Sequence, residues 1–158
     1  RSMSKENSVS KQRLRLWLLL LRTTRSTESE LREFLRLEHD TTLPRFDVMA
    51  ALYRTDKGLT MTELSRYLLV YNGNVTTVVD RLVQDGMAKR EQLVNDRRSL
   101  RVSLTPQGYE QFTAMASAHE AKLNELFADF SPSDIEQLLN LLKAHAHKET
   151  AHEEHGLA

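Results

Sequence analysis

Cysteine is absent from all 158 residues. That excludes a disulfide framework, a cysteine-containing metal site and a thiol redox switch. Glycine (5) and proline (3) are scarce, so no flexible linker divides the chain and one domain is expected at this length. With 40% apolar residues there is material for a real core. Long hydrophobic runs are missing as well. The longest, residues 16–21, falls far short of the roughly 20 residues that a membrane-spanning helix needs. It sits among arginines with no small-residue cleavage signal behind it, unlike a secretory leader. Arg1 and Ser2 ahead of Met3 read as a cloning remnant.

An excess of one charge sign is also lacking. The 22 basic and 22 acidic side chains cancel, and on bulk electrostatics a neutral average weakens the case for a nucleic-acid partner. The charges are unevenly spread, however. Residues 11–36 carry a balance of +4, residues 56–104 of +2 and residues 105–158 of −6. An acidic C-terminal third therefore hides a basic remainder. Catalytic patterns are missing too: no nucleophile elbow, no phosphate-cradling glycine loop and no acid pair is visible, so the chain does not read as an enzyme. Four of six histidines, His145, His147, His152 and His155, lie near the end, in a stretch whose composition predicts a loose tail. His39 and His119 have no evident carboxylate or cysteine partner. Neither a metal nor a cofactor is expected.

What is present is mostly helix. Residues 3–10 are polar and read as frayed. Residues 11–38 contain no Gly or Pro, and Leu14, Trp17, Leu18, Leu21, Leu31, Phe34 and Leu35 follow a 3.6-residue repeat. Leu16, Leu19 and Leu20 add apolar surface on other sides, so the first half of this helix needs cover from a second chain. Thr42 and Pro44 open a second helix to Tyr53. Thr60, with Glu63 at capping-box spacing, opens a third over residues 61–68. After the tight turn at residues 70–73, a fourth spans 73–85 and stops at Gly86. Two β-prone runs, 87–94 and 100–104, flank a turn at residues 95–99. Thr105-Pro106 and Ser131-Pro132 each start a further helix as cap plus proline.

The outward face of helix 73–85 carries Asn74, Thr76, Thr77, Asp80, Arg81 and Gln84. Short amides, hydroxyls and an arginine are the groups that meet base edges in a major groove. Asn74 and Thr77 are the base-reading candidates, joined by Asn72 and Thr76, while Arg81 suits a guanine or a phosphate equally. Arg98, and next to it Arg97, sit where a hairpin tip can deliver a guanidinium to a narrow minor groove. Each feature alone is more often a solvated surface; together, in this order, they make a winged helix-turn-helix. The expected fold is thus mainly α with a small β-hairpin wing. The module at 43–104 is embedded between dimerisation helices at 11–38 and 105–147, with a flexible tail at 148–158.

The pattern Asp96-x-Arg98-x-x-x-Val102-x-Leu104-Thr105-x-x-Gly108 resembles the wing signature of the MarR (multiple-antibiotic-resistance-regulator) family of bacterial transcription factors. The order of six helices with a wing after the fourth is similar too, over residues 11–147. The resemblance implies a cytoplasmic homodimer with interleaved terminal helices that binds a palindromic double-stranded DNA operator, usually as a repressor. By this likeness helix 73–85 is the recognition helix and Arg98 the minor-groove arginine. The runs Thr42-Leu43-Pro44-Arg45-Phe46 and Asn72-Gly73-Asn74-Val75-Thr76 resemble the branch that senses hydroxycinnamoyl- and other aromatic acyl-CoA thioesters.

The residues themselves bear on such an effector. Arg22, Arg25, Arg32 and Arg36 form a stripe on one side of the first helix, and guanidinium binds phosphate as a fork. Trp17, Phe46, Met49, Tyr71, Tyr109 and Phe112 supply an apolar slot for an aromatic acyl group, with Arg22 and Arg25 at the CoA phosphates. Against this, such a stripe is usually solvated and such aromatics are usually core. The alternative function is a winged-helix protein-interaction module that never touches DNA.

Overall fold

The computed structural model describes residues 2–68, 74–93 and 96–156, with side chains described for 4–68, 74–92 and 100–148. Two compact units emerge, residues 1–122 and residues 123–158.

In the first unit, helix α1 (Ser2–His39) is longer than its apolar repeat suggests. Residues 3–10 continue the helix, because no Gly or Pro interrupts it. It ends at Asp40, whose φ of 47° lies in the left-handed region; aspartate is among the few residues besides glycine that adopt it readily. Only the second half of α1 is seated: Leu31 and Leu35 are buried, whereas Leu14, Leu16, Trp17, Leu18, Leu19 and Leu20 are each more than two-fifths exposed. Helix α2 (Leu43–Tyr53) starts with proline in its first turn and with Thr42 Oγ1 accepting the Arg45 N–H at 3.3 Å. It buries Phe46, Val48, Met49, Ala51 and Leu52.

A short strand β1 (Leu59–Thr60) leads into α3 (Met61–Tyr67), and α4 (Val75–Gln84) follows. The wing consists of β2 (Ala88–Leu93) and β3 (Asp96–Leu104), and α5 (Pro106–Leu126) leaves its base. The sheet has the order β1-β3-β2, antiparallel throughout. Two details differ from the sequence-based expectation. The hairpin has a third strand, β1, paired as Leu59↔Val102 and Thr60↔Arg101. Residues 96–99, expected in the turn, belong to β3: Leu93 pairs with Asp96 across a register shift at Gln92/Leu93, so the irregularity absorbs the residues assigned to a longer loop. Gly58, at φ 75°, permits the third strand, since a Cβ there would stand 2.7 Å from the Val102 carbonyl oxygen.

One core joins these elements. Leu35 of α1, Met49 and Leu52 of α2, Leu64 of α3, Val79 and Leu82 of α4, Val102 of β3, and Phe112 and Met115 of α5 are buried together.

In the second unit, α6 (Pro132–Gly156) is opened by a reciprocal cap: Ser131 N–H donates to Asp134 Oδ2 at 2.9 Å and Asp134 N–H to Ser131 Oγ at 3.1 Å. Hydrogen bonding from the Ser131 backbone N–H, and then from its hydroxyl, holds the Asp134 carboxyl below its usual range. The helix continues past residue 148, where a loose tail was expected, because no Gly or Pro stands between Pro132 and Gly156. It exposes Ile135, Leu138, Leu139, Leu141 and Leu142.

Candidate nucleic-acid interface

The helix-turn-helix is built from local caps. Thr60 Oγ1 accepts the Glu63 N–H at 3.2 Å, and Glu63 Oε2 accepts the Thr60 N–H at 3.3 Å, closing the capping box of α3. Asn74 does the same work for α4: its Oδ1 accepts the Thr77 N–H at 3.3 Å. Val78, Val79 and Leu82 turn α4 onto the core, leaving Thr76, Thr77, Asp80 and Arg81 exposed on the other side.

Two ion pairs aim that exposed face. Arg90 of β2 pairs with Asp80 in the middle of α4. Arg45, at the start of α2, meets Asp85 at the end of α4, Nη1 to Oδ2 at 2.7 Å. Both pairs are partly solvated, so they add little stability. Their value is directional, because α4 is tied on one side to the wing and on the other to α2.

The wing base is fastened as well. Arg101, on the central strand, donates from Nη1 to the Gly58 carbonyl at 3.2 Å and lies 3.7 Å from Glu63 Oε2. Its Nε is buried without a partner. Strand β3 is thereby linked to the cap of α3. Nothing in sequence periodicity pointed to Arg101, since its partner strand is only two residues long.

The wing signature has a structural explanation. Val102 is buried against Leu59. Thr105 Oγ1 donates to the Gly86 carbonyl at 2.6 Å and accepts the Gly108 N–H at 3.0 Å, while the Thr105 N–H donates to the Met87 carbonyl at 3.0 Å. A Cβ on Gly108 would fall 1.9 Å from the Met87 oxygen. These residues lock α5 onto the wing base.

Of the expected DNA-binding residues, α4 brings Asn74, Thr76, Thr77 and Arg81 to one exposed surface. Asn74 is partly committed, because its Oδ1 accepts the Thr77 N–H as the cap, leaving its amide N–H groups and one oxygen lone pair for a base. Arg97 and Arg98 stand second and third in β3, with side chains outside the described residues. Asn72 and Tyr71 lie outside the described residues altogether.

Of the expected effector residues, Phe46, Phe112 and Tyr109 fall in one aromatic cluster linked through Tyr53, while Trp17, Arg22 and Arg25 stand exposed on α1. Phe46, Met49 and Phe112 belong to the closed core, at 5%, 1% and 5% exposure. Phe46 packs on Phe112 with ring centroids 5.3 Å apart and stacks on His119 at 4.4 Å. Their aromatic and apolar character suits a core as well as a ligand slot. Tyr109 is exposed and stacks on Tyr53 at 4.8 Å, its hydroxyl donating to the Tyr53 hydroxyl at 3.4 Å. Trp17, Arg22 and Arg25 are exposed on α1, about 21, 14 and 9 Å along the axis before Leu31. A surface hollow of about 500 Å³ beside them is lined by Leu18, Leu21, Arg22, Arg25 and Ser26, all from α1. Arg36 is engaged by Glu33 at 2.6 Å.

Two titrating groups flank the buried aromatics. Burial, and then the charge of Glu28 on α1, push the Asp47 carboxyl up to about 6. Burial holds the His119 imidazole below its usual range.

Comparison with known proteins gives a consistent picture. Residues 41–100 match the family model described as MarR family. An HTH-type transcriptional regulator of Bacillus subtilis, YkoM, is 34% identical over 106 residues, covering 67% of this chain and 68% of the relative. A MarR family transcriptional regulator from Silicibacter pomeroyi superposes with a TM-score of 0.77 at 33% identity, covering 89% of this chain and 96% of that one. Sco3205 of Streptomyces coelicolor, solved in complex with DNA, shares the fold with a TM-score of 0.74 at 22% identity, covering 84% and 88%.

Proposed function

The chain belongs to the MarR family of DNA-binding transcriptional regulators, and from that membership we propose that it is a homodimeric repressor released from a palindromic operator by a small aromatic ligand. The observation that carries the proposal is the exposed polar face of α4, with Thr76, Thr77 and Arg81, tied through Asp80 and Arg90 to the wing strand β2. Helix and wing then approach neighbouring grooves as one body, α4 in the major groove and Arg98 in the minor.

Dimerisation is supported by the uncovered leucines of α1 and α6. Apolar surface of this extent, on each helix taken by itself, supports an interface. In the dimer the terminal helices set the separation of two reading modules, about one helical turn of DNA apart. The effector acts by preferring a separation that does not fit the operator, and it shifts binding only by that difference in affinity. An aromatic acyl-CoA thioester suits the exposed Arg22 and Arg25, whose guanidinium groups would face its phosphates; an aromatic acid is the simpler alternative.

The test is a gel shift on the DNA flanking the chain's own gene, with and without aromatic acyl-CoAs and the free acids. The wild-type chain should retard that DNA. Arg98→Ala should remain folded and dimeric yet lose operator binding; unchanged binding would remove the wing from the interface and favour a protein-interaction module. Release by thioesters alone supports the role of Arg22 and Arg25. Release by free acids alone, or by neither, defeats it.

A further inference from the structure

Beside the outward face of α4 lies a notch of about 320 Å³. Its walls are Thr42, Pro44 and Arg45 at the start of α2, the α4 cap Asn74, and Thr77, Val78 and Arg81 of α4. Two arginines on different elements therefore line one small cavity, and no carboxylate is among its lining residues. Arg81 is exposed, and among the described residues it has no ion-pair partner. Arg45 is held more firmly: its side chain is 22% exposed, with Nη1 fixed by Asp85. One nitrogen of the fork is thus engaged and the remaining N–H groups stay available for a second acceptor.

We propose that this notch seats a backbone phosphate of duplex DNA, gripped by Arg45 from α2 and Arg81 from α4. The proposal rests on the regulator reading above and extends it to Arg45, a residue that the sequence placed only in a run resembling the effector-sensing branch and gave no part in DNA contact. Thr77 and Arg81 belong both to the notch and to the face that enters the major groove. Phosphates border that groove, and contacts to them fix the register of a reading helix without carrying sequence information. The arrangement also decides between the two roles open to Arg81. Opposed to Arg45 across a cavity, it serves the sugar-phosphate edge, and base reading is left to the hydroxyl and amide groups nearer the start of α4. Asp85 has a matching part: by holding one edge of Arg45 it presents a preorganised fork in place of a freely rotating cation.

The experiment uses the full chain and two duplexes of equal length: the fragment flanking its own gene and a scrambled version. Affinity is followed from about 50 to 200 mM salt, where counterion release gives a slope of roughly 0.9 per phosphate contact. Arg45→Ala should weaken both duplexes alike, about tenfold, and shrink the slope by about 0.9. Arg81→Ala should do the same. Arg45→Lys, which keeps a point charge, should keep most of the slope, and unfolding midpoints identify any variant that is simply misfolded. The assignment is overturned if Arg45→Ala binds like the wild type, if it weakens the specific duplex alone, or if affinity falls while the slope stays and Arg45→Lys fails to restore binding. Wild-type protein that binds neither duplex overturns the regulator reading and this one together. Wild-type binding with an unaltered Arg45→Ala slope overturns only the notch.

Discussion

At the scale of single residues, the rigidity of the module depends on close backbone approaches at its glycines. Gly108 lies in the first turn of α5, where any Cβ would be driven to within 1.9 Å of the Met87 carbonyl oxygen. No rotamer relieves that contact, because both partners are main chain. Gly108→Ala should therefore cost about 2–4 kcal/mol, in the range of severe core disruptions, and lower the unfolding midpoint sharply. Gly86 provides the control. Its φ is 77°, but an added Cβ meets only the Gln107 side chain at 3.6 Å, so Gly86→Ala should cost only the left-handed penalty of roughly 1–2 kcal/mol. Urea unfolding of both variants tests the argument. Equal losses would mean that backbone conformation, and not the Met87 contact, accounts for the glycine at 108. This also explains why the second half of the signature, Val102-x-Leu104-Thr105-x-x-Gly108, marks the fold without reaching toward DNA as Arg98 does: it describes a joint.

At the scale of elements, α4 and the wing form one reading unit only while their fastenings hold. Arg101 joins the central strand to the loop before α3 through the Gly58 carbonyl, and sits beside Glu63 of the α3 cap. Arg101→Ala should lower stability by about 1 kcal/mol, the usual worth of such a bond, because the Thr60–Glu63 capping box survives without it. Operator affinity should drop severalfold in protein that is still fully folded, since the wing loses its fixed direction relative to α4. Binding titrations well below the unfolding transition check this; a lower midpoint with unchanged affinity would assign Arg101 to stability alone. Arg101 also illustrates what was legible in the chain beforehand. Helices with caps at Thr42, Thr60, Thr105 and Ser131 could be placed because cap chemistry and periodicity are local. The strand Leu59–Thr60 could not, because two residues carry no alternation, and the arginine opposite it was therefore invisible as a link. The wing register was missed for a related reason. Asn95-Asp96 suits a turn, but cross-strand pairing of Leu93 with Asp96 is a non-local fact. Sequence alone does not separate an aromatic slot from core, because burial and ligand lining select the same side chains: only the fold brings Phe46 against His119 and Phe112 against Tyr53.

At the scale of the whole molecule, the seating of α1 on the reading module carries an electrostatic cost. Asp47 of α2 is half-buried near Glu28 of α1, and its carboxyl titrates at about 6 in place of 3.8. The folded chain therefore binds a proton at Asp47 that the unfolded chain lacks through the interval between these values. In that interval stability falls as pH rises, and above about 6 the ionised carboxylate imposes its full penalty. His119 acts with the opposite sign. Burial lowers its pKa, so folding excludes a proton there and stability falls as pH drops below the ordinary imidazole value of 6.5. The two slopes oppose each other in the wild type. Asp47→Asn removes one of them. At pH 7.5 this variant should be more stable than the wild type by on the order of 1 kcal/mol, the shift being discounted for partial exposure. The advantage should shrink from pH 6 downward and be reduced to a small remainder near pH 4, where Asp47 is protonated in the folded chain and close to half protonated in the unfolded one. Below neutrality the variant should lose stability more steeply than the wild type, with the histidine unopposed. Unfolding free energies measured from pH 4 to 8 decide the matter. A gain that does not change with pH would place the benefit in packing or helix propensity and leave the α1–α2 contact without a proton-linked cost.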